Sequence, residues 1–138
     1  MRTRSYLDAL MLNDPDVRVV VTGDFNDGPG IDYFERKYLT HNVVDILLGS
    51  TFYPERLFSH AFLTRVAPAD RFTAIFDDFV DNINNRQVLL DHILVSPALE
   101  SAITNAGVNH TEYMAHTTNP TGTRQERVSD HRPVFIEF

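Results

Sequence analysis

The chain has 138 residues, 43% of them hydrophobic, which is enough for one buried core and sets a single domain or part of one as the starting expectation. No run approaches the roughly 18 apolar residues that cross a bilayer, and Met1-Arg2-Thr3-Arg4 leads into an amphipathic segment instead of a signal-peptide apolar region, so the chain reads as soluble with its compartment open. The absence of cysteine excludes a disulfide framework and thiolate metal sites, and 12 Lys and Arg against 19 Asp and Glu give a net charge of −7, which weighs against a tight nucleic-acid groove unless a divalent cation offsets some carboxylates.

In chain order, Ser5 to Leu12 places Leu7, Leu10 and Met11 at helical spacing and predicts a helix that stops near Asn13-Asp14-Pro15. Val17 to Thr22 is β-branched and almost wholly apolar, the composition of a strand buried on both faces. Asp27-Gly28-Pro29-Gly30 is a loop, with a short helix expected over Ile31 to Leu39. Val43 to Leu48 fits a strand or a helical turn equally. Gly49 to Asp70, with Pro54 and Pro68, reads as a long irregular connection of the kind that often carries function. Arg71 to Phe76 and Val88 to Ser96 read as strands joined by the Asp- and Asn-rich stretch Asp77 to Asn85. Ala102 to His110 suits another strand, Thr117 to Arg127 a polar loop, and Val134 to Phe138 a final strand. The expected class is therefore mixed α and β, with no repeat or internal linker.

Three short motifs carry chemistry. In Gly23-Asp24-Phe25-Asn26-Asp27, extended backbone would turn Asp24 and Asn26 to one side and Phe25 into the core, so that a carboxylate and an amide reach one surface. A phosphodiester hydrolase needs such a pair, one group to orient and deprotonate water and a donor for the nonbridging oxygen. In Leu89-Leu90-Asp91-His92-Ile93-Leu94-Val95, period two puts Asp91 on the face of Leu89, Ile93 and Val95, where a carboxylate needs a partner, and His92 on the other face with Leu90 and Leu94, where it reads as a packing residue. In Ser129-Asp130-His131-Arg132-Pro133, Pro133 favours an extended Arg132 and a turn before the last strand. Asp130 there offers a hard oxygen suited to Mg²⁺ or Mn²⁺, and His131 a proton acceptor if a buried carboxylate, for which Asp91 is the candidate, fixes its tautomer.

Taken together and in this order, Asp24, Asn26, Asp91, Ser129, Asp130 and His131 resemble the Gly-Asp-x-Asn, late-strand Asp and Ser-Asp-His motifs of the endonuclease/exonuclease/phosphatase superfamily. The resemblance implies the C-terminal half of a four-layer α/β/β/α sandwich with two mainly antiparallel sheets and the site at one sheet edge. It implies that Asp24 orients or activates water, Asn26 supports the phosphate, Asp130 binds the metal and His131, held by Asp91, acts as base or transition-state stabiliser. The base is Asp24 or His131.

The superfamily's upstream Asn, metal-binding Glu and middle-strand His have no counterpart here, because only one helix precedes Val17. Residues 1–138 therefore read as a partial domain lacking its N-terminal half. The expected function is divalent-metal-dependent phosphoester hydrolysis of a nuclease-like kind, on DNA, RNA or another phosphate ester, with about half the site supplied by this chain and the isolated chain inactive. Such a half would expose the apolar runs Val17 to Val21, Leu89 to Val95 and Val134 to Phe138, and so require the missing half or self-association. Leu89-Leu90-Asp91-His92 lacks the Trp and Cys of the inositol-polyphosphate phosphatases. A phospholipid phosphodiesterase, or a noncatalytic remnant or binding module of the same fold, stands as the alternative. Glu35, Glu55, Glu112, His41, His60, His110 and His116 read as surface or packing residues.

Overall fold

The computed structural model describes residues 2–31, 33–38, 41–78, 82–111, 129 and 131–138. Its helices are α1 (Arg2–Asn13), α2 (Tyr33–Lys37), α3 (Val43–Leu48) and α4 (Pro97–Glu100), and its strands are β1 (Val20–Asp24), β2 (Ser59–His60), β3 (Ala74–Asp78), β4 (Ile83–Val88), β5 (Asp91–Val95), β6 (Asn105–Val108) and β7 (Val134–Glu137). Two short 3-10 turns, Pro54–Arg56 and Pro68–Asp70, interrupt the connection between α3 and β3. The class is mixed α+β, and all the described sheet pairs are antiparallel. No helix among the described residues is long and apolar enough to cross a membrane.

Strand β5 is the centre of the molecule. It lies between β1 and β2, and its side chains alternate between two cores. Ile93 and Val95 pack with Phe62, Leu99 and Ala106 and with Val134 and Ile136 of β7. Leu94, on the other face, packs with Leu7 and Met11 of α1, Leu47 of α3 and Phe58. Each fully buried aliphatic side chain on such a strand contributes about 1.5–3 kcal/mol of transfer free energy. The Leu89 to Val95 run is thus covered within this chain, against the expectation that a half-domain would leave it open.

Strand β1 differs from its expectation in the opposite sense. Val17, Val19, Val21 and Phe25 pack on the α1 and α3 core, but Val20 is 41% exposed and Thr22 and Asp24 are exposed with it. Strand β1, which takes in Val20 and Val21 of that run, is an edge strand with β5 as its only described partner, and one of its faces is left uncovered. The Arg71 to Ser96 region also departs from its expectation. β3 pairs with β4, from Ala74 opposite Val88 to Asp78 opposite Ile83, so Asp77, Asp78 and Ile83 to Asn85 of the expected connection are strand. The chain then breaks at Leu89-Leu90, and Asp91 begins a strand of a different sheet. The polar loop expected over Thr117 to Arg127 lies outside the described residues.

The undecided segment Val43 to Leu48 is a helix because both its ends are tied by remote residues. Asn42, in extended geometry, accepts from Asp45 N at 2.9 Å, and Asp27 Oδ2 accepts from Val43 N at 2.6 Å. At the other end Arg4 Nη1 donates to Leu47 O at 2.9 Å and Leu48 O at 3.1 Å, satisfying carbonyls the helix leaves open. Gly49 closes the helix at φ 103°, where a Cβ would stand 2.6 Å from that guanidinium.

Candidate functional site

Asp24 and Asp91 sit directly opposite each other on β1 and β5. The next pair, Phe25 and Leu90, is hydrogen-bonded through Phe25 N to Leu90 O at 2.9 Å, so Asp24 and Asp91 form the alternate, non-hydrogen-bonded pair, in which facing side chains come closest. Two carboxylates so placed repel each other unless a cation joins them. His131 is the third member. One ligand atom from each of Asp24, Asp91 and His131 lies within 4.8 Å of the others, with Asp24 exposed and the other two half-buried.

His131 reaches this position from the bend before β7. Its own N–H donates to Ser129 Oγ at 3.0 Å, and Arg132 N donates to Thr73 O at 2.8 Å. The Arg132 side chain is buried, its guanidinium 4.4 Å from the centre of the Phe72 ring. His131 Nδ1 stands 2.7 Å from Asp91 Oδ2. A carboxylate only accepts in its ionised form, so Nδ1 carries the hydrogen, and in the neutral ring Nε2 is left with the lone pair.

Thr73 holds both halves of this arrangement and did not stand out in the sequence. It is fully buried, and its Oγ1 accepts from Leu90 N at 3.0 Å and Asp91 N at 3.1 Å while its carbonyl holds Arg132. Its N–H donates to Val88 O at 2.8 Å. A single threonine therefore joins the break before β5 to the segment bearing His131. A Thr within the expected strand Arg71 to Phe76 looks like any strand residue, so no local signal marks it.

Asn26 departs from its expected geometry. Its φ is +52°, so the strand ends at Asp24, and period-two alternation does not extend to Asn26. Its backbone N–H donates to Asp24 Oδ1 at 2.9 Å, closing a tight Asx turn that braces the carboxylate. Phe25 does turn into the core, as expected. Asp130, the expected metal ligand, lies outside the described residues, as do Glu112 and His116.

Of the residues read as surface or packing, Glu55 is exposed beside Arg56, His41 is exposed, and Glu35 and His60 are buried. His92 does lie on the far face, but it is more than filler. Its Nε2 is 2.8 Å from Asp27 O and its Nδ1 is 2.9 Å from His60 Nε2. A cavity of about 520 Å³ between α2 and α3, lined by Ile31, Glu35, His41 and Asn42 among others, contains none of the three clustered residues. Among the described residues, Asp24, Asp91 and His131 form the acidic and imidazole group placed so that it could hold a metal ion.

Two carboxylates and an imidazole form a hard, mixed oxygen and nitrogen donor set. It suits a divalent cation such as Mn²⁺ or Mg²⁺, and the facing of Asp24 and Asp91 gives a physical reason to hold one: the cation removes their repulsion. Comparisons of the chain with protein-family models, with curated proteins and with solved structures return no match.

Proposed function

We propose that this chain supplies about half the active site of a divalent-metal-dependent phosphoesterase, acting on phosphodiesters in the manner of a nuclease and built on the four-layer sandwich of the endonuclease/exonuclease/phosphatase superfamily. The observation that carries the reading is the Asp24, Asp91 and His131 cluster, in which residues from three separate motifs place their donor atoms within 4.8 Å. The superfamily resemblance rests on the same three motifs.

In this reading Asp91, besides its part in holding a cation, holds the Nδ1–H of His131 through Oδ2 so that Nε2 faces the reaction as a base or as a donor once protonated. The Asp24 carboxylate, braced by the Asn26 N–H, orients the attacking water on the exposed side of β1. Asn26 supports the phosphate. Asp24 and Asp91 are the described residues that would hold Mg²⁺ or Mn²⁺, with Asp130 as a further oxygen ligand. Such a cation supplies charge neutralisation at the phosphoryl oxygens. The remaining ligand comes from the N-terminal half of the domain, joined in cis or in trans.

The test is hydrolysis of DNA, RNA and bis-p-nitrophenyl phosphate in Mn²⁺ or Mg²⁺, by the chain alone and by the chain combined with an N-terminal half of the superfamily. Metal-dependent cleavage only in the combination, abolished by Asp24→Asn, is the expected result. Cleavage that survives Asp24→Asn and His131→Ala together would remove the cluster from any catalytic role.

A further inference from the structure

We infer that the buried His60 and His92 pair is a fixed-tautomer strut that positions the Asp24 to Asp27 turn, making His92 a positioning residue for the site. The inference takes the site from the proposed function, but its structural part stands without any metal or activity.

The direction of every hydrogen in the strut follows from its far end. Asp27 O only accepts, so His92 Nε2, 2.8 Å away, carries hydrogen. In a neutral ring His92 Nδ1 is then the acceptor, so His60 Nε2, 2.9 Å away, carries hydrogen and donates to it. His60 Nδ1 is left with its lone pair, buried and without a hydrogen-bond partner among the described residues. Any other neutral arrangement either sets two lone pairs against each other across the 2.9 Å contact or leaves Asp27 O without its donor. A proton added to His60 would create an N–H that meets no acceptor among the described residues. Burial enforces the same outcome: it pushes His60 down to about 3, with His92 and then Arg71 adding to the effect.

The far end of the strut is the site turn. His92 is fully buried and its ring stacks on Phe25 with centroids 5.0 Å apart and planes 17° from parallel. Phe25 and Asp27 flank Asn26, whose left-handed backbone sends its N–H to Asp24 Oδ1. One imidazole thus touches the residues on both sides of the group that braces the catalytic carboxylate. The Asp27 carboxylate is held from the opposite direction, by Val43 N at 2.6 Å and Asn42 Nδ2 at 3.0 Å. Asn42 Nδ2 also reaches Gly28 O at 2.6 Å and Gly30 O at 2.8 Å, so the following loop is clamped to the start of α3. His60 completes the chain by packing edge-on against the fully buried Phe62, which sits in the core on the Ile93 side.

A solvent-facing turn can satisfy one carbonyl with water. Two desolvated imidazoles, one with an unsatisfied nitrogen, are a costly way to donate one hydrogen bond. Rigid placement of the turn from the core is what that cost secures, in the way that outer-shell hydrogen bonds orient the groups of a metal site.

The experiment uses the intact chain. Long-range ¹H–¹⁵N correlation spectra at neutral pH should report both His60 and His92 as neutral Nε2–H tautomers, and an Nδ1–H tautomer or an imidazolium at either residue overturns the inference. In His92→Phe, which keeps a ring against Phe25, the backbone shifts of residues 24–27 should move and Mn²⁺ binding measured by line broadening should weaken about tenfold. His92→Gln, which can still donate to Asp27 O, should recover both to within about threefold of the parent. Folded variants with parent-like shifts at 24–27 would sink the strut. A parent chain that binds no Mn²⁺, while the tautomers and shifts behave as stated, would count against the metal reading alone.

Discussion

Strand β5 begins with two adjacent side chains that face opposite ways and meet two imidazoles with opposite careers. On one face Asp91 meets His131, which is half-buried and keeps Nε2 free of the carboxylate contact. On the other face His92 meets His60, and both rings are committed to a buried chain ending on Asp27 O. On the proposed function, the same functional group serves chemistry where a carboxylate holds it near solvent and serves structure where it is enclosed in the core. Removing the first should cost chemistry, and removing the second should cost stability.

The largest effect tests the reactive face. In a completed domain, His131→Ala should lower phosphodiester turnover by 10² or more, about 3 kcal/mol of barrier, while shifting the urea midpoint little. Turnover close to the parent's would collapse the distinction. His92→Ala should reverse the pattern at the level of folding, losing on the order of 2–3 kcal/mol by urea denaturation, because it opens a cavity and orphans both Asp27 O and the His60 donor. A loss no greater than that of His131→Ala would show that the buried face is not the structural one.

A pH series sharpens the contrast. His60 is held near 3 in the folded chain and titrates near its ordinary 6.5 when unfolded, so between these values the unfolded state binds more protons. Its contribution to stability is complete above about pH 6.5 and is lost as pH falls from there toward 3, by at most about 1.4 kcal/mol per pH unit. Equilibrium unfolding at pH 7 and pH 5 should therefore show a difference between the parent and His60→Gln that shrinks by roughly 2 kcal/mol on acidification. A constant difference would mean that His60 is not desolvated. Thr73→Val, which keeps shape but removes the acceptor for Leu90 N and Asp91 N, should cost about 1–2 kcal/mol, with Thr73→Ser recovering most of it.

The smallest effect has the opposite sign. Asp24→Asn removes one of two facing carboxylates and should stabilise the metal-free chain by a few tenths of a kcal/mol, limited by the exposure of Asp24. Added Mn²⁺ should raise the melting temperature of the parent more than that of the variant. Equal responses would place the cation elsewhere.

Much of this was readable in the residues. Period two assigned Leu89, Ile93 and Val95 to one face of a strand and Leu94 to the other, and each set does join its own core. Helical spacing of Leu7 and Met11 marked α1. What the pattern missed depended on distant partners. The valines of β1 looked doubly buried because composition reports an affinity for burial and says nothing about which neighbours are present. The Val43 to Leu48 run was ambiguous because its helix is decided by Asp27 and Arg4, each remote in sequence. Asn26 escaped the alternation rule because a left-handed residue ends the strand. The roles of Thr73 and His60 lie wholly in contacts across the fold, and their residue types announce neither.

Thr73 also bears on how the site comes into being. The β3 and β4 arms close a short local loop, whereas Asp91 meets His131 across 40 residues and Thr73 meets Asp91 across 18. Contacts between distant segments require loop closure before they return any free energy, so they form after local ones. A threonine beside a local hairpin is thus expected to be in place before the strand and the terminal segment, which its hydroxyl and carbonyl hold in register. The acidic pair and the imidazole come together only once the chain has closed from both directions. A chain cut between Asp91 and His131 is therefore expected to keep local secondary structure in places while losing the contact that joins the acidic pair to the imidazole.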